Sequence, residues 1–227
     1  MRVAIDGPAG AGKSSVGRSI AEALGCRYLD TGLLYRAVTW LALRANVPPD
    51  DIGRVSDLAG RARFSLAGSG RLEVNGESPG SLLRGTEVER WVSQVSAVPA
   101  VRAALLPWQR EVGAHGCIVM VGRDIGSVVL PEADVKLWLT ASPQERARRR
   151  GRELKGSVRK QSQVSAQLLA RDEKDAQREV SPAVPAHDAV VLTTDELSQQ
   201  EVVDRALDEI ERALRKRGAP FLPADHT

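Results

Sequence analysis

The chain has 227 residues, a formal net charge of +3 and a hydrophobic content of 42%. This composition supports a packed core and argues against a disordered chain. Aromatic residues amount to only 4%, which disfavours the base-stacking surface of a single-strand nucleic-acid binder. No apolar run reaches the ~18 residues that span a membrane. A glycine-rich loop begins too early for a signal peptide, so we expect no membrane association.

The positive charge is concentrated in one segment. Residues 145–160 hold eight Lys/Arg and two Glu, so this segment carries +6 and the rest of the chain −3. Three interpretations are open: a solvated helix face, a nucleic-acid patch, or a mobile lid whose arginines close over phosphates. The phosphate loop described below favours the lid, with Gly151, Gly156 and Ser157 as hinge points.

The cysteines and histidines point to neither a disulfide framework nor a metal site. Cys26 and Cys117 are the only cysteines, and Cys117 lies in an apolar run, where a free cysteine packs as a small hydrophobe. The histidines are scattered and no pair has metal-ligand spacing. We therefore expect a free thiol at Cys117 and a reducing, cytoplasmic compartment.

Short apolar runs along the chain predict the strands of a sheet. The runs are 3–5, 28–29, 117–121, 135–139 and 189–192. None alternates cleanly between polar and apolar residues, which is typical of parallel strands buried on both faces. A helical pattern begins at Lys13, and capping boxes start helices at Ser142 and Ser198. The alternation predicts an α/β fold: a five-stranded parallel sheet flanked by helices.

Residues 62–97 interrupt this alternation. Two polar/apolar alternating segments flank residues 68–70, which is an antiparallel hairpin signal. A helix is predicted from Thr86 to Val98, before Pro99. We interpret 62–97 as a small α+β insertion in a core made of 1–61 and 98–227.

The strongest local signal is a phosphate-binding loop between the first strand and the first helix. The segment Gly7-Pro8-Ala9-Gly10-Ala11-Gly12-Lys13-Ser14 matches G-x-x-x-x-G-K-[ST] in full. Its glycines let backbone N–H groups turn toward an anion, and the following helix adds its N-terminal dipole. Lys13 is expected to reach the β- and γ-phosphates and Ser14 to ligate Mg²⁺. The sequence therefore predicts binding of a nucleoside triphosphate.

The chain lacks the features of two other classes of P-loop protein. Asn46 and Asn75 are the only asparagines and neither precedes a lysine, so the guanine-reading N-K-x-D segment of a GTPase is missing. The chain also ends too soon after one α/β core for a motor or AAA-type ATPase. Both classes are therefore disfavoured, and the loop alone does not say what happens to the bound nucleotide.

Three further clusters of polar residues are candidates for a second phosphate site. Thr31 and Arg36 follow the second strand, where they act either as an anion site or as a cap and a surface residue. Arg123 and Asp124 follow a buried strand, at the sheet edge where α/β ligand sites lie. The segment 171–178 places Arg171, Asp175 and Arg178 at i, i+4, i+7, predicting that they share one helix face.

Five segments in order resemble bacterial cytidylate (CMP) kinases, members of the nucleoside monophosphate kinase family of P-loop kinases. They are IDGPAGAGKSS, YLDTGLLYRAVT, SQVSAVPAVR, VGRDIGSVVLPEADVKLWLTAS and RDEKDAQREVSP. The resemblance runs from Val3 to Ile210. It implies a P-loop NTPase-type core, an inserted monophosphate-binding domain at 62–97 and an arginine-rich lid at 145–180.

The resemblance implies roles for individual residues. The ATP site would comprise Gly7, Pro8, Ala9, Gly10, Ala11, Gly12, Lys13, Ser14 and Ser15, with Mg²⁺ on Ser14. The cytosine ring would be read by Ser93, Arg102 and Asp124. The acceptor monophosphate would be held by Thr31, Arg36 and Arg123. On the lid side, the monophosphate and sugar would be bound by Arg171 and Asp175, with Arg178 near the phosphoryl path. The catalytic set would be Lys13, Arg123, Arg171 and Arg178.

The chain departs from the family pattern in three places. Val121 stands where the family has Asp or Glu before the glycine of GRD, so a role of that acid toward Mg²⁺ would move to Asp6 or Asp30. Thr-Thr-Asp at 193–195 replaces the more usual Asp-Thr-Thr/Ser. The segment 151–160 is shorter and more basic than the family pattern.

The resulting hypothesis is Mg²⁺-dependent transfer of the γ-phosphoryl group of ATP to CMP or dCMP. We expect the enzyme to be a cytoplasmic monomer that acts on small-molecule substrates and has no nucleic-acid or membrane partner.

Two alternatives remain. One is another small P-loop kinase, acting on UMP, AMP, shikimate or dephospho-coenzyme A, and the other is a non-enzymatic nucleotide- or RNA-binding module that uses the basic segment. Acceptor choice distinguishes the two kinase hypotheses, and salt-sensitive RNA binding identifies the binding module.

Overall fold

The computed structural model describes residues 1–67, 70–153 and 161–218. Within these ranges the strands are β1 (Arg2–Asp6), β2 (Arg27–Asp30), β3 (Phe64–Ala67), β4 (Arg71–Val74), β5 (Ile118–Val121), β6 (Val135–Thr140) and β7 (Val190–Thr193). The helices there are α1 (Lys13–Ala23), α2 (Gly32–Arg44), α3 (Ile52–Arg61), α4 (Thr86–Ala97), α5 (Pro99–Ala114), α6 (Pro143–Glu153), α7 (Gln161–Ala176) and α8 (Gln199–Lys216).

The predicted five-stranded parallel sheet is confirmed, with the strand order β2-β5-β1-β6-β7. Strand β1 is central, and its Val3 is in register with Val119 of β5 on one side and Val135 of β6 on the other. All four residues of β5 are buried. Continuous apolar runs form strands such as β5 because they are covered on both faces, whereas the edge strand β7 alternates between half-buried and exposed residues.

The chain divides into two compact units, which we call the core unit (residues 1–26 and 116–227) and the second unit (residues 27–115). The second unit contains the antiparallel hairpin β3–β4, in which Phe64 is opposite Val74 and Leu66 opposite Leu72. The hairpin and the following helix confirm the pattern seen in the sequence, although turn residues 68–69 lie outside the described residues. The 62–97 insertion boundaries remain a prediction.

Two helix starts follow the predicted caps. At α8 the Ser198 side chain accepts from the Glu201 N–H while the Glu201 carboxylate accepts from the Ser198 N–H, which completes a capping box. At α6 the Ser142 hydroxyl accepts from the Glu145 N–H at 3.3 Å. Helix α6 therefore begins where the sequence indicates. The hinge positions Gly156 and Ser157 fall outside the described residues. Across the described ranges, no helix combines the length and apolarity needed to cross a membrane.

The expectation of a free Cys117 is wrong, because Cys26 and Cys117 form a disulfide with Cα atoms 4.8 Å apart. Cys26 follows α1 and Cys117 precedes β5, and α1 packs closely on β5. Both cysteines are half-buried. Spacing in the sequence does not reveal this pair, because the two residues are 91 positions apart and only the tertiary fold brings them together.

Reduction of this disulfide is expected to lower the melting temperature by about 10 °C. Opening a cross-link that closes so long a loop restores entropy to the unfolded chain, at a cost of about 3 kcal/mol. Thermal unfolding with and without dithiothreitol measures the shift. A Cys26→Ser/Cys117→Ser double variant is the control, and its melting temperature should match that of the reduced protein in both buffers. Equal melting temperatures for oxidised and reduced wild type would contradict the prediction.

Candidate active site

The loop between β1 and α1 has the backbone geometry of an anion cradle. Gly7, Gly10 and Gly12 have φ angles of 143°, 78° and 86°, a region that L side chains rarely adopt. At Gly7 a Cβ atom would collide with the carbonyl oxygen of Leu139. Residues with side chains therefore cannot replace these glycines without moving the loop. Amide groups of such a loop can turn toward a phosphate, although the Ala9 N–H is bonded to Asp172 in this structure.

Lys13 and Ser14 lie where the loop becomes helix α1. The Lys13 side chain is largely buried and its Nζ donates to the Pro8 carbonyl at 2.7 Å. Ser14 is exposed in the first turn, and the next hydroxyl, of Ser15, donates to the Gly12 carbonyl at 2.9 Å. The Lys13 ammonium over the loop suits the phosphates of a ligand. The Ser14 hydroxyl beside it suits a cation bound with those phosphates.

Arg123 connects this loop to helix α7. Its Nη1 donates to the Gly7 carbonyl at 3.0 Å and its Nε to Asp175 Oδ2 at 3.1 Å. The other oxygen of Asp175 accepts from Arg178. Asp175 is almost fully buried, so the two guanidinium groups offset the cost of removing its charge from water. The fold of the core unit thus brings together three predicted site residues, Arg123, Asp175 and Arg178.

The predicted helix face over 171–178 needs a correction. Helix α7 ends at Ala176, so Arg178 lies beyond it and does not share a helical face with Arg171 and Asp175. Ser181 adopts a left-handed backbone with φ 57° and Pro182 follows, so the helix could not extend through these two residues. Arg178 still pairs with Asp175.

A contact at Ala9 joins the phosphate loop to α6 and α7 and was missed by the sequence analysis. The Ala9 N–H donates to Asp172 Oδ1 at 3.0 Å, and the Ala9 carbonyl accepts from Arg146 Nη1 at 3.0 Å. Arg146 and Asp172 also pair with each other. Arg146 lies in the basic segment 145–160, but no local signal identifies which carboxylate of 171–178 it meets.

The unusual Thr-Thr-Asp stretch after β7 anchors the start of the basic segment. Arg149 donates to the Thr194 hydroxyl at 2.8 Å and to the Thr194 carbonyl at 2.6 Å. Both oxygens of Asp195 accept from the Ser142 N–H at 3.0 Å. Hydrogen bonding by the Ser142 side chain, and next by its backbone N–H, lowers the pKa of the Asp195 carboxyl. Within the described part of the basic segment, Arg149 is therefore fixed to the residue that follows β7.

Two carboxylates are buried beside the loop. Asp6 ends β1 and Asp124 follows β5, and each is about 5% exposed. Burial, the largest cause, raises the pKa of Asp6 to about 6, with the Asp124 charge adding to the rise and the backbone N–H groups of Gly126 and Ile125 opposing it. Val121 is buried at the end of β5 and leaves that position apolar.

Within the second unit, Thr31 and Arg36 lie at the start of α2. Thr31 is 3% exposed. Arg36 Nη1 donates to Glu89 Oε1 at 2.8 Å and to the Leu83 carbonyl at 3.2 Å. The Arg36 guanidinium is therefore held in a fixed orientation by α4 and the turn before it. Glu89 was not identified from the sequence, because nothing in its local pattern marks it as a partner.

Ser93 and Arg102 are brought together through Ser96. The Ser96 hydroxyl donates to the Ser93 carbonyl at 3.1 Å, and the Ser96 carbonyl accepts from Arg102 Nη1 at 3.0 Å. Arg102 is 5% exposed and its guanidinium lies 5.2 Å from the centre of the Tyr35 ring. Ser96 thus links the Ser93 backbone on α4 to the Arg102 guanidinium on α5, and that cation lies over an aromatic face.

The chain is similar to known proteins in both sequence and fold. The family model for cytidylate kinase matches residues 3–212. The cytidylate kinase of Mycobacterium leprae (strain Br4923) is 44% identical over 209 residues, covering 91% of this chain and 93% of that protein. The bifunctional pantoate ligase/cytidylate kinase of Synechococcus sp. (strain JA-3-3Ab) is 45% identical over 225 residues, or 96% of this chain.

The chain spans only 42% of that bifunctional relative. Among solved structures, a gluconokinase from Sinorhizobium meliloti 1021 covers 96% of this chain and 95% of its own, with a TM-score of 0.50 and 19% identity. At that identity the likeness concerns the fold alone. The sequence match, which extends over most of the residues described above, decides the family: the chain belongs to the cytidylate kinase family of enzymes.

Proposed function

We propose that this chain transfers the γ-phosphoryl group of ATP to CMP or dCMP and gives CDP or dCDP. The observation that carries the proposal is the Arg123 bridge: in a chain of the cytidylate kinase family, one arginine bonds both the phosphate loop and Asp175. A guanidinium in that position can contact an anion beside the loop with its remaining N–H groups. The proposal extends the family assignment to a donor, an acceptor and named residues.

The phosphate loop fits the triphosphate of ATP. Its glycines leave the backbone amides accessible, and Lys13 can exchange its bond to the Pro8 carbonyl for phosphate oxygens. The exposed Ser14 hydroxyl fits a Mg²⁺ ion, which takes few protein ligands when phosphates and waters supply the others. When bound, Mg²⁺ would neutralise charge on the β- and γ-phosphate oxygens. No group of three or more His, Cys, Asp or Glu able to hold a metal occurs among the described residues.

The reaction needs no general base. The acceptor oxygen of a nucleoside monophosphate is already ionised, so catalysis consists of alignment and charge neutralisation. Lys13 neutralises charge on the transferred group, and Arg123 orients the acceptor phosphate. Arg171 and Arg178 add positive charge from the lid side and help to exclude water, whose attack would hydrolyse ATP. Ala9, joined to Arg146 and Asp172, ties that side to the loop.

The acceptor residues suit the chemistry of CMP. Several guanidinium groups match a dianionic phosphate, and Arg36 is held by Glu89 with other N–H groups left for a ligand. Thr31 supplies a hydroxyl donor. Cytosine presents an amino donor and two acceptors, which a carboxylate such as Asp124, a hydroxyl such as Ser93 and the Arg102 guanidinium can satisfy. Uracil presents a carbonyl in place of the amino group, so one protein acceptor would lose its partner.

A coupled assay of ADP release over a panel of monophosphates tests the proposal. CMP and dCMP should be phosphorylated in the presence of Mg²⁺ and not in excess chelator. UMP and AMP should be used less efficiently by about tenfold to a hundredfold. Comparable turnover of UMP would contradict base reading by these residues. Salt-sensitive RNA binding without phosphoryl transfer would instead support the non-enzymatic alternative. We also propose that the enzyme is cytoplasmic and acts as a monomer. Size-exclusion chromatography can check the oligomeric state.

Removing the Ser93 hydroxyl is expected to reduce the preference for CMP over UMP by about tenfold, because one hydrogen bond to the base is lost. The measurement is the ratio of kcat/KM for CMP to that for UMP in Ser93→Ala. Ser56→Ala is a matched control, since Ser56 is also a half-buried helical serine of the second unit and donates only to the Ile52 carbonyl. An unchanged ratio in Ser93→Ala would exclude Ser93 from base recognition.

A further inference from the structure

A single carboxylate, Asp6, holds the segment that carries Arg123 and Asp124. Asp6 is the last residue of β1, immediately before the phosphate loop. Its Oδ1 accepts from the Ile125 N–H at 2.9 Å and its Oδ2 from the Gly126 N–H at 2.7 Å. These are the first two residues of the short π-type turn Ile125–Val129 that follows Asp124. The start of this turn is therefore capped from outside by a buried side chain.

Neighbouring backbone atoms complete the attachment. The Gly122 N–H donates to the Ile5 carbonyl at 3.0 Å, and Arg123 Nη1 donates to the Gly7 carbonyl. Three consecutive residues, 5 to 7, thus bond the segment 122–126 along its length. Of these bonds, only those of Asp6 depend on the identity of a side chain at positions 5–7.

Keeping a charge at this position is costly, which argues for a role. Asp6 lies beside a second buried carboxylate, Asp124, with Lys13 as the opposing charge, and burial raises its pKa to about 6. An ionised carboxylate has acceptors for both amides. A protonated carboxyl directs its own O–H toward one of them, so one of the two bonds is lost. Only the ionised carboxylate can accept full hydrogen bonds from both backbone N–H groups, those of Ile125 and Gly126.

We propose that Asp6 is a positioning residue for the acceptor nucleotide, acting through the turn that places Arg123 and Asp124 next to the phosphate loop. This rests on the proposed function, in which Arg123 binds the acceptor phosphate and Asp124 the base. In this proposal Asp6 acts through the Ile125 and Gly126 N–H groups that its two oxygens bond. Its role is to fix the distance between the residues that hold the acceptor and the loop that holds the donor, on which in-line transfer depends.

Kinetics of Asp6→Asn provide the first test. The amide has one acceptor oxygen, and its NH₂ group would face a backbone N–H, so the turn loses one bond and shifts. We expect KM for CMP to rise about tenfold, with KM for ATP unchanged. A rise in KM for ATP instead, or no change in either constant, would overturn the proposal. Asp51→Asn is the matched control, because Asp51 also accepts a backbone N–H, at the start of α3.

Amide resonances of the wild-type protein give a test that needs neither turnover nor a variant. The Ile125 and Gly126 amide protons should move upfield together as the pH falls, with a common midpoint near pH 6. The Gly122 amide, which donates to a carbonyl, should move much less. Absence of this common titration would overturn the proposal. If wild type does not phosphorylate CMP, the proposed function fails while the titration of the turn can still be observed, so the two failures are distinguishable.

Discussion

Replacing Lys13 by alanine is expected to lower kcat for CMP phosphorylation by about 10³-fold, because the transferred group loses its closest side-chain cation. The Lys13 ammonium already lies over the loop, bonded to the Pro8 carbonyl. Little side-chain ordering therefore remains to be lost when ATP arrives. The loss should appear in kcat more than in KM for ATP, since backbone amides of the loop still hold the phosphates in the ground state.

The fold of the Lys13→Ala variant should be retained. The variant loses the bond from Lys13 to the Pro8 carbonyl, but the positive φ angles of the loop glycines and the bonds at Gly7 and Ala9 do not involve Lys13. Single-turnover formation of CDP measures the loss, and circular dichroism and thermal unfolding check the fold. Lys216→Ala is the matched control, because Lys216 is exposed in the last turn of α8. Near-normal CDP formation by Lys13→Ala would rule out the proposed role of the lysine.

Local patterns were enough to predict the sheet and the phosphate loop. The strands of the sheet are continuous apolar runs because parallel strands are covered on both faces. The loop is equally local, since its glycines, lysine and serine are consecutive and follow a strand directly. The capping boxes at Ser142 and Ser198 gave helix starts for the same reason: the donor and acceptor are three residues apart.

Partnerships between distant residues could not be predicted in this way. Asp6 and Gly126 are 120 positions apart, and Arg123 and Asp175 are 52 positions apart. Which carboxylate meets which donor is decided by tertiary packing, so the sequence identified candidate groups without their partners. The disulfide was missed for the same reason. The misplaced Arg178 has a local cause: periodicity alone does not say where a helix ends, and here α7 ends at Ala176.

Replacing Arg123 by alanine is expected to lower kcat/KM for CMP by about 10³-fold or more, the scale of a guanidinium that acts on a transferring phosphoryl group. Arg123 bonds the Gly7 carbonyl of the loop and Asp175 of α7 at once, whereas Arg146 makes a similar link through Ala9 and Asp172. Its removal takes away an acceptor contact and also frees the Gly7 carbonyl and one oxygen of Asp175. Asp175 keeps its pairing with Arg178, so we expect only a moderate loss of stability, about 1–2 kcal/mol.

The conservative variant Arg123→Lys separates charge from geometry. An ammonium keeps the positive charge but cannot donate in two directions from a planar group. If catalysis requires the bonds of Arg123 to both Gly7 and Asp175, Arg123→Lys should be only slightly more active than Arg123→Ala. Its melting temperature should stay near that of wild type. Arg212→Ala is the control, since Arg212 is two-thirds exposed and pairs only at the surface, with Glu209. Wild-type kcat/KM for CMP in Arg123→Lys would show that charge alone suffices and would refute a role for the guanidinium as a bridge between the phosphate loop and Asp175.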